Sequence, residues 1–367
     1  MGEEERRPLL EVKGLTVTYR SAVKSIRALD GVSLTVDPSE IIAIVGESGS
    51  GKSTLGLSII NLLQKPPAVV DGGEVLFRGR DVTKLPEREM ASVRGTSISM
   101  IFQDPLSSLD PVYTVGEQIA EAIEMRERRA STWNPGPFAR RDPDLAPSGG
   151  GLGRVVGVRM PRGDRGRRVP RAHAEEVIEA LRRVQIADPE RVIDRYPHEL
   201  SGGMAQRVMI TNAMVQRPAL LIADEPTSAL DVTTQAQVLR LMREMRREIG
   251  SSILLVTHDL AVAAQVADRV VVMYAGETVE VAEVGRLFEA PLHPYTEGLL
   301  NSIPRKYREE GRLDAIPGDV PDLRSPPSGC RFHPRCPHAF ERCAKERPVL
   351  VEPEPGRGAA CFLRYPQ

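Results

Sequence analysis

Residues Gly46-Glu47-Ser48-Gly49-Ser50-Gly51-Lys52-Ser53 have the G-x-x-x-x-G-K-[ST] spacing of a phosphate-binding loop. The apolar run Ile41-Ile42-Ala43-Ile44-Val45 leads into it and reads as a buried strand. Thr54-Leu55-Gly56-Leu57-Ser58-Ile59-Ile60 follows and reads as a helix. A strand that feeds a glycine-rich turn and then a helix wraps backbone N–H groups around phosphate oxygens, and the helix N-terminus adds a favourable field. Lys52 is then placed to reach the β- and γ-phosphates, and Ser53 to sit on Mg²⁺.

The chain has 367 residues, room for about two domains. A hydrophobic fraction of 41% and a charged fraction of 27% suit a soluble globular protein. The net charge of -1 gives no global field that would argue for nucleic acid. No uncharged apolar stretch approaches the ~18 residues that span a bilayer. The opening residues Met1-Gly2-Glu3-Glu4-Glu5-Arg6-Arg7 carry neither an apolar signal core nor the Ser or Thr of a myristoylation site. The expectation is a cytosolic protein that meets a membrane only through a partner.

Leu10-Glu11-Val12, Leu15 to Tyr19 and Val32 to Val36 alternate apolar and polar residues, which predicts antiparallel strands with one buried face. Glu74 to Phe77 predicts another strand, and Ser97 to Phe102 a short one that ends at Gln103. Thr114 to Arg129 reads as a helix. From Ala130 to Ala172 the composition changes: eight Gly, six Pro and nine Arg stand against three Asp. This stretch reads as a solvated loop, or as a basic arm in which Trp133 and Phe138 help touch a membrane surface or partner. Helical spacing returns at Glu175, and a further helix runs from Met204 to about Gln216. Ala219 to Ala223 predicts a strand, Thr233 to Ile249 an amphipathic helix, and Ile253 to Thr257 the next strand.

Strand, helix and strand from Leu220 to His258 make a βαβ unit, so the two strands are expected to be parallel. Asp224, Glu225, His258 and the phosphate loop then all emerge at carboxyl ends of strands, where open α/β sheets bind ligands. Asp224 fits a Mg²⁺ carboxylate, and Glu225 a base that activates water. His258 suits contact with the γ-phosphate, and Gln103 contact with Mg²⁺ or the attacking water. Ser201-Gly202-Gly203 is a second small-residue loop that opens a helix, hence a second anion site. One nucleotide does not need two such loops from one chain. A head-to-tail pair solves this, each chain presenting its helix end to the γ-phosphate held by the other.

These residues closely resemble the ABC-type ATPases over about residues 9 to 285. Gly46 to Ser53 matches the Walker A motif, Leu220 to Glu225 Walker B with its glutamate, and Leu200 to Gly203 the signature. Gln103 matches the Q-loop, Ser228 to Asp231 the D-loop, and His258 the switch histidine, while Tyr19 takes the place of the aromatic that stacks on adenine. The resemblance implies an α/β fold with a RecA-like P-loop ATPase core, an antiparallel β-subdomain and a helical subdomain. The implied boundaries are 8–285 for the ATPase domain and 104–218 for the helical subdomain, which holds the 130–172 insertion. It further implies that Tyr19, Gly46, Ser48, Gly49, Gly51, Lys52, Ser53, Thr54, Ser201, Gly202, Gly203 and Asp231 bind ATP. Ser53, Gln103 and Asp224 would hold Mg²⁺, and Glu225, His258 and Gln103 would serve hydrolysis.

Tyr196 to Met204, His293-Pro294-Tyr295-Thr296 and Ser302-Ile303-Pro304 resemble the oligopeptide/dipeptide importer ATPases, with residues 286–367 as their C-terminal extension. The insertion departs from that pattern, and Ala205 replaces a charged residue usual there. The implied protein is a peripheral ATPase on the cytoplasmic side of the membrane. Its implied partners are a second, non-identical ATPase subunit, two membrane permeases and an extracytoplasmic binding protein, with no nucleic acid. Related importers carry oligosaccharides or nickel. A soluble ATPase acting on DNA or ribosomes is the rival reading, but this chain has one cassette and no heptad run.

All four cysteines, Cys330, Cys336, Cys343 and Cys361, fall in the last 38 residues. Five, six and seventeen residues separate them in turn, with no C-x₂-C pair. Clustered cysteines in a cytosolic chain point to metal binding, and four thiolates suit one Zn²⁺ or one [4Fe–4S] cluster. Related importers favour the cluster, and His333 and His338 are substitutes in a zinc site. The tail is Pro-rich and short of apolar residues, so a bound metal is expected to stabilise a loop-rich, metal-binding extension with little core of its own.

Overall fold

The computed structural model describes residues 7–21, 24–131, 171–228, 230–303 and 316–366. They divide into two units, one drawn from 1–103, 219–228 and 242–367, the other from 104–218 and 229–241. Nearly all of the insertion, with Trp133 and Phe138, lies outside the described residues.

In the first unit, strands β1 (Leu10–Tyr19) and β2 (Ile26–Val36) pair antiparallel, as their alternation predicts. After β3 (Ile41–Val45) come β4 (Ala68–Phe77) and β5 (Arg80–Asp81), which complete a sheet in the order β2-β1-β4-β5. The second sheet is built from β3, β6 (Ile98–Ile101), β7 (Leu220–Asp224), β8 (Ser252–Thr257), β9 (Arg269–Tyr274), β10 (Glu277–Glu283), β11 (Val351–Glu354) and β12 (Arg357–Ala359). Its order is β11-β12-β10-β9-β3-β8-β7-β6, and the run from β9 to β6 is parallel throughout. Every residue of β3, β7 and β8 is buried, which is why these strands read as unbroken apolar runs rather than alternating ones. Val45 pairs with Thr257, and Asp224 with Val256, so three strands finish at one level.

The second unit is helical. Helices Val115–Ser131, Arg171–Arg183 and Gly202–Val215 bury Ile119, Ile123, Val177, Leu181 and Val208 between them. Val115 N–H donates to Arg195 O and Gly116 N–H to Ile193 O, which satisfies two donors at a helix start.

The end of the chain belongs to the first unit and is better packed than its composition predicts. β12 pairs antiparallel with β10, so the extension adds strands to the central sheet. Phe332 is buried against Tyr274, Tyr295 and His293, with ring centroids 5.2, 5.4 and 5.7 Å away. Ala359, Ala360 and Phe362 are buried too. The expected shortage of core is thus made good by apolar surface borrowed from β9 and from helix Pro294–Asn301. Glu280 on β10 accepts from the N–H groups of Leu292 and His293, both at 2.8 Å, and pins the start of that helix.

His293 caps the same helix, its Nδ1 accepting from Tyr295 N–H at 3.0 Å, so the ring is neutral. Burial lowers its pKa from 6.5 to about 3. The unfolded chain therefore takes up a proton near pH 6.5 that the folded chain refuses. The stabilisation is complete above that pH and is lost as pH falls, by about 2 kcal/mol at pH 5. Between pH 7.5 and pH 5 we expect the melting temperature of the native chain to fall further than that of His293→Asn, which keeps a cap but does not titrate. Equal falls would refute this assignment.

Candidate functional site

The phosphate loop begins where β3 ends. Gly46 is packed so tightly that a Cβ there would lie 2.1 Å from the Met273 carbonyl oxygen. Gly51 has φ +98, and a Cβ on it would lie 2.5 Å from the Ala28 carbonyl oxygen. Only glycine fits these two positions, and that is why the loop can fold back tightly over the sheet. Ser48, Gly49 and Ser53 are exposed at its mouth. Helix Lys52–Ile59 follows directly, and Gly51 N-caps it without a side chain.

Lys52 is buried, and its Nζ donates to the carbonyls of Gly46 at 2.7 Å and Glu47 at 2.9 Å. Burial lowers its pKa, and the nearby carboxylates of Glu225, Asp224 and Glu47 oppose that. Asp224 ends β7 with its carboxyl pKa raised by burial, and a hydrogen bond from Ser53 opposes the rise. Its Oδ1 is enclosed and has no hydrogen-bond partner among the described residues. A buried carboxylate oxygen left without a partner among the described residues, beside the Ser53 hydroxyl, is the kind of oxygen donor a hard cation takes, so Mg²⁺ fits Asp224 and Ser53.

Glu225 comes next and has φ +47, a left-handed conformation that costs a non-glycine residue about 1–2 kcal/mol. Its N–H still donates to Val256 O at 2.9 Å, so the strand's last bond is kept while the side chain is turned aside. Gln103 Nε2 donates to Glu225 Oε2 at 3.2 Å, and His258 Nδ1 lies 3.0 Å from Glu225 Oε1. The ends of β6, β7 and β8 thus supply one cluster, with a separate partner for each carboxylate oxygen. Such a group can accept a proton from water while its orientation is fixed. Tyr19, at the end of β1, places its Oη 3.5 Å from Thr54 Oγ1.

The other named residues lie in the second unit. Ser201 is exposed and caps helix Gly202–Val215, its Oγ accepting from Met204 N–H at 3.4 Å, with Gly202 and Gly203 as the first helical residues. Asp231 caps the start of helix Val232–Ile249 through Thr233 N–H and Thr234 N–H, and accepts from Thr234 Oγ1 at 2.7 Å. Arg207, which the sequence did not single out, donates to Thr234 Oγ1 at 2.9 Å and joins the two segments.

Two more residues escaped the sequence reading of the loop. Tyr295 Oη accepts from Glu47 N–H at 2.8 Å, and Arg335 forms an ion pair with the Glu47 carboxylate at 2.7 Å. The signal was present in one form only: an acidic residue inside an anion-binding loop calls for a cation from elsewhere.

Cys330, Cys336, Cys343 and Cys361 line a cavity of ≈ 20 Å³ together with His293, His333 and His338. Among the described residues, no three of these sulfurs and ring nitrogens lie within 4.8 Å of one another. Burial pushes Cys330 up to about 12 and also raises Cys336 and Cys361, so as free thiols they are poor nucleophiles. No helix among the described residues is long and apolar enough to cross a membrane.

Residues 29–228 match the ABC transporter family model, and residues 279–343 match the oligopeptide/dipeptide transporter C-terminal region. A probable peptide ABC transporter ATP-binding protein, y4tR of Sinorhizobium fredii, is 47% identical over 96% of this chain and 94% of its own. The oligopeptide transport ATP-binding protein AppD of Bacillus subtilis is 42% identical over 97% and 96%. The bacterial ABC transporter cassette MJ0796, solved as a dimer, is similar at 27% identity and a TM-score of 0.57, over 75% of this chain and 98% of that one.

The tightness of the loop gives a graded prediction. Gly51→Ala should cost about 2 kcal/mol or more, because strain and overlap add. Gly49→Ala, at φ +80 with nothing within 4 Å, should cost only the left-handed term of about 1 kcal/mol. Urea unfolding of both variants checks the order, and a reversed order would contradict the packing described.

Proposed function

The chain belongs to the ABC transporter family, as one of its ATP-hydrolysing subunits, and from that premise we propose that it powers the import of di- and oligopeptides. The observation that carries the catalytic part is the meeting of Glu225 with Gln103 and His258 beside Lys52 and Asp224. Lys52 exchanges its two carbonyl partners for β- and γ-phosphate oxygens. The loop from Gly46 through Ser48, Gly49 and Gly51 to Ser53 and Thr54 offers backbone N–H groups to the same phosphates, and Tyr19 stacks on the adenine. Ser53, Asp224 and Gln103 would hold Mg²⁺, which would offset phosphate charge. Glu225 takes the proton from the attacking water, and His258 and Gln103 fix its two oxygens.

Ser201, Gly202 and Gly203 cap the γ-phosphate held by a second ATPase subunit, a non-identical relative, with Asp231 beside them. Two permeases anchor this pair at the cytoplasmic face of the membrane, and an extracytoplasmic binding protein delivers the peptide. What favours peptides is the match of residues 279–343 together with the names of the two relatives.

The four cysteines we assign to one [4Fe–4S] cluster. The four thiols line one cavity, and a four-thiol donor set suits such a cluster.

Glu225→Gln should bind ATP with native affinity, hydrolyse it at least about 100-fold more slowly, and stay closed with its partner subunit. Adding Ser201→Arg should abolish the closure and spare nucleotide binding. Rapid turnover by Glu225→Gln would remove the base assignment, and closure with Arg at 201 would remove the shared site. Protein prepared without oxygen should contain four iron and four sulfide per chain and absorb visible light (stoichiometric zinc without iron would reject the cluster).

A further inference from the structure

A carboxylate is out of place in a loop that binds triphosphate. Glu47 is the second residue of that loop, and each of its polar groups is nonetheless engaged. Its N–H donates to Tyr295 Oη at 2.8 Å, and its carbonyl accepts from Lys52 Nζ at 2.9 Å. Its carboxylate is held two-pronged by Arg335, Nη1 to Oε2 at 2.7 Å and Nη2 to Oε1 at 3.1 Å. This geometry is the strong form of an arginine–carboxylate pair.

Arg335 is itself held. Its Nε donates to Pro317 O at 3.0 Å, its Nη1 to Tyr274 Oη at 3.3 Å, and only 6% of its side chain is exposed. Tyr295 is wholly buried. Four residues before Arg335, Arg331 reaches the turn after β9, donating to Ala275 O and pairing with Asp30 and Glu277. Gly276 of that turn donates its N–H to Ser50 O at 3.0 Å. The segment between Cys330 and Cys336 therefore touches the phosphate loop directly through Arg335 and its supporting turn through Arg331. Glu47 lies in the stretch matched to the ABC transporter family, whereas Tyr295 and Arg335 both lie in the C-terminal region match.

We propose that Arg335, with Tyr295, is a positioning residue for nucleotide binding: it neutralises Glu47 and fixes the loop in the conformation that receives the triphosphate. The extension is then a working part of the ATP site. The inference rests on the assignment of Gly46–Ser53 as the ATP loop. Without Arg335 the Glu47 carboxylate is an unopposed negative charge within the loop that receives the phosphates, and a like charge there weakens binding by about tenfold or more.

The test uses the full chain and a fluorescent ATP analogue, at low and at high salt. Arg335→Met should raise Kd about tenfold at low salt and less at high salt, because the effect is a charge effect. In steady-state hydrolysis by the assembled transporter, KM should rise while kcat stays within about twofold. Glu47→Gln added to Arg335→Met should return Kd to within about threefold of native, which a purely structural role for Arg335 would not do. If Arg335→Met does not fold, Arg335→Lys carries the test. It keeps the charge but loses the fork, and Kd should rise about threefold. An unchanged Kd in either folded variant, or a double variant as weak as Arg335→Met, overturns the proposal. A native chain that does not bind the analogue instead overturns the assignment on which it rests.

Discussion

The register of three parallel strands is the constraint on which the site depends. β3, β8 and β7 are locked side by side by evenly spaced backbone bonds, with Val45 opposite Thr257 and Asp224 opposite Val256. Each strand is buried along its whole length, so a slip by one residue would push polar chain into the interior. With the register fixed, residues more than two hundred positions apart must emerge together. Lys52, Asp224, Glu225 and His258 meet for that reason, and no local contact between them is needed to bring them there.

Around this frame, burial and charge oppose each other in a useful way. Lys52 and Asp224 are both withdrawn from water, and withdrawal disfavours the charged form of each. Their mutual attraction compensates in part; Glu225 and Glu47 also favour the charged form of Lys52, whereas Glu225 adds to the cost of ionising Asp224. Among the described residues Oδ1 of Asp224 has no partner, so the compensation they provide is incomplete. Glu225 adds a conformational cost through its left-handed backbone. A site that keeps such unmet demands is ready for a ligand that carries the missing charges.

Much of this was legible in the sequence. The apolar runs gave the parallel strands, the alternation of Leu10 to Val36 gave the antiparallel pair, and the spacing from Gly46 to Ser53 gave the loop. Gln103 ends a strand, and a glutamine there has many uses; its bond to Glu225 exists only because β6 lies beside β7. The packing of the C-terminal extension was not legible. Its few apolar residues suggest little core, but Phe332 is buried against aromatic rings contributed by β9 and the Pro294–Asn301 helix. Arg335 was invisible for a similar reason. It stands 288 positions from Glu47, and neither periodicity nor spacing reports on a contact of that range.

The added strands also settle how the central sheet ends. A sheet edge is a row of unpaired amides and carbonyls, an open invitation to another chain. Here the outermost strand, β11, is four residues long and reads Val351-Glu352-Pro353-Glu354. Proline removes one donor, two glutamates bring like charges, and the short length leaves little to copy. At the opposite margin, β6 is equally brief. Both rims of this sheet are thus blunted against templated growth, so crowded chains find little on either margin to extend by edge-to-edge pairing.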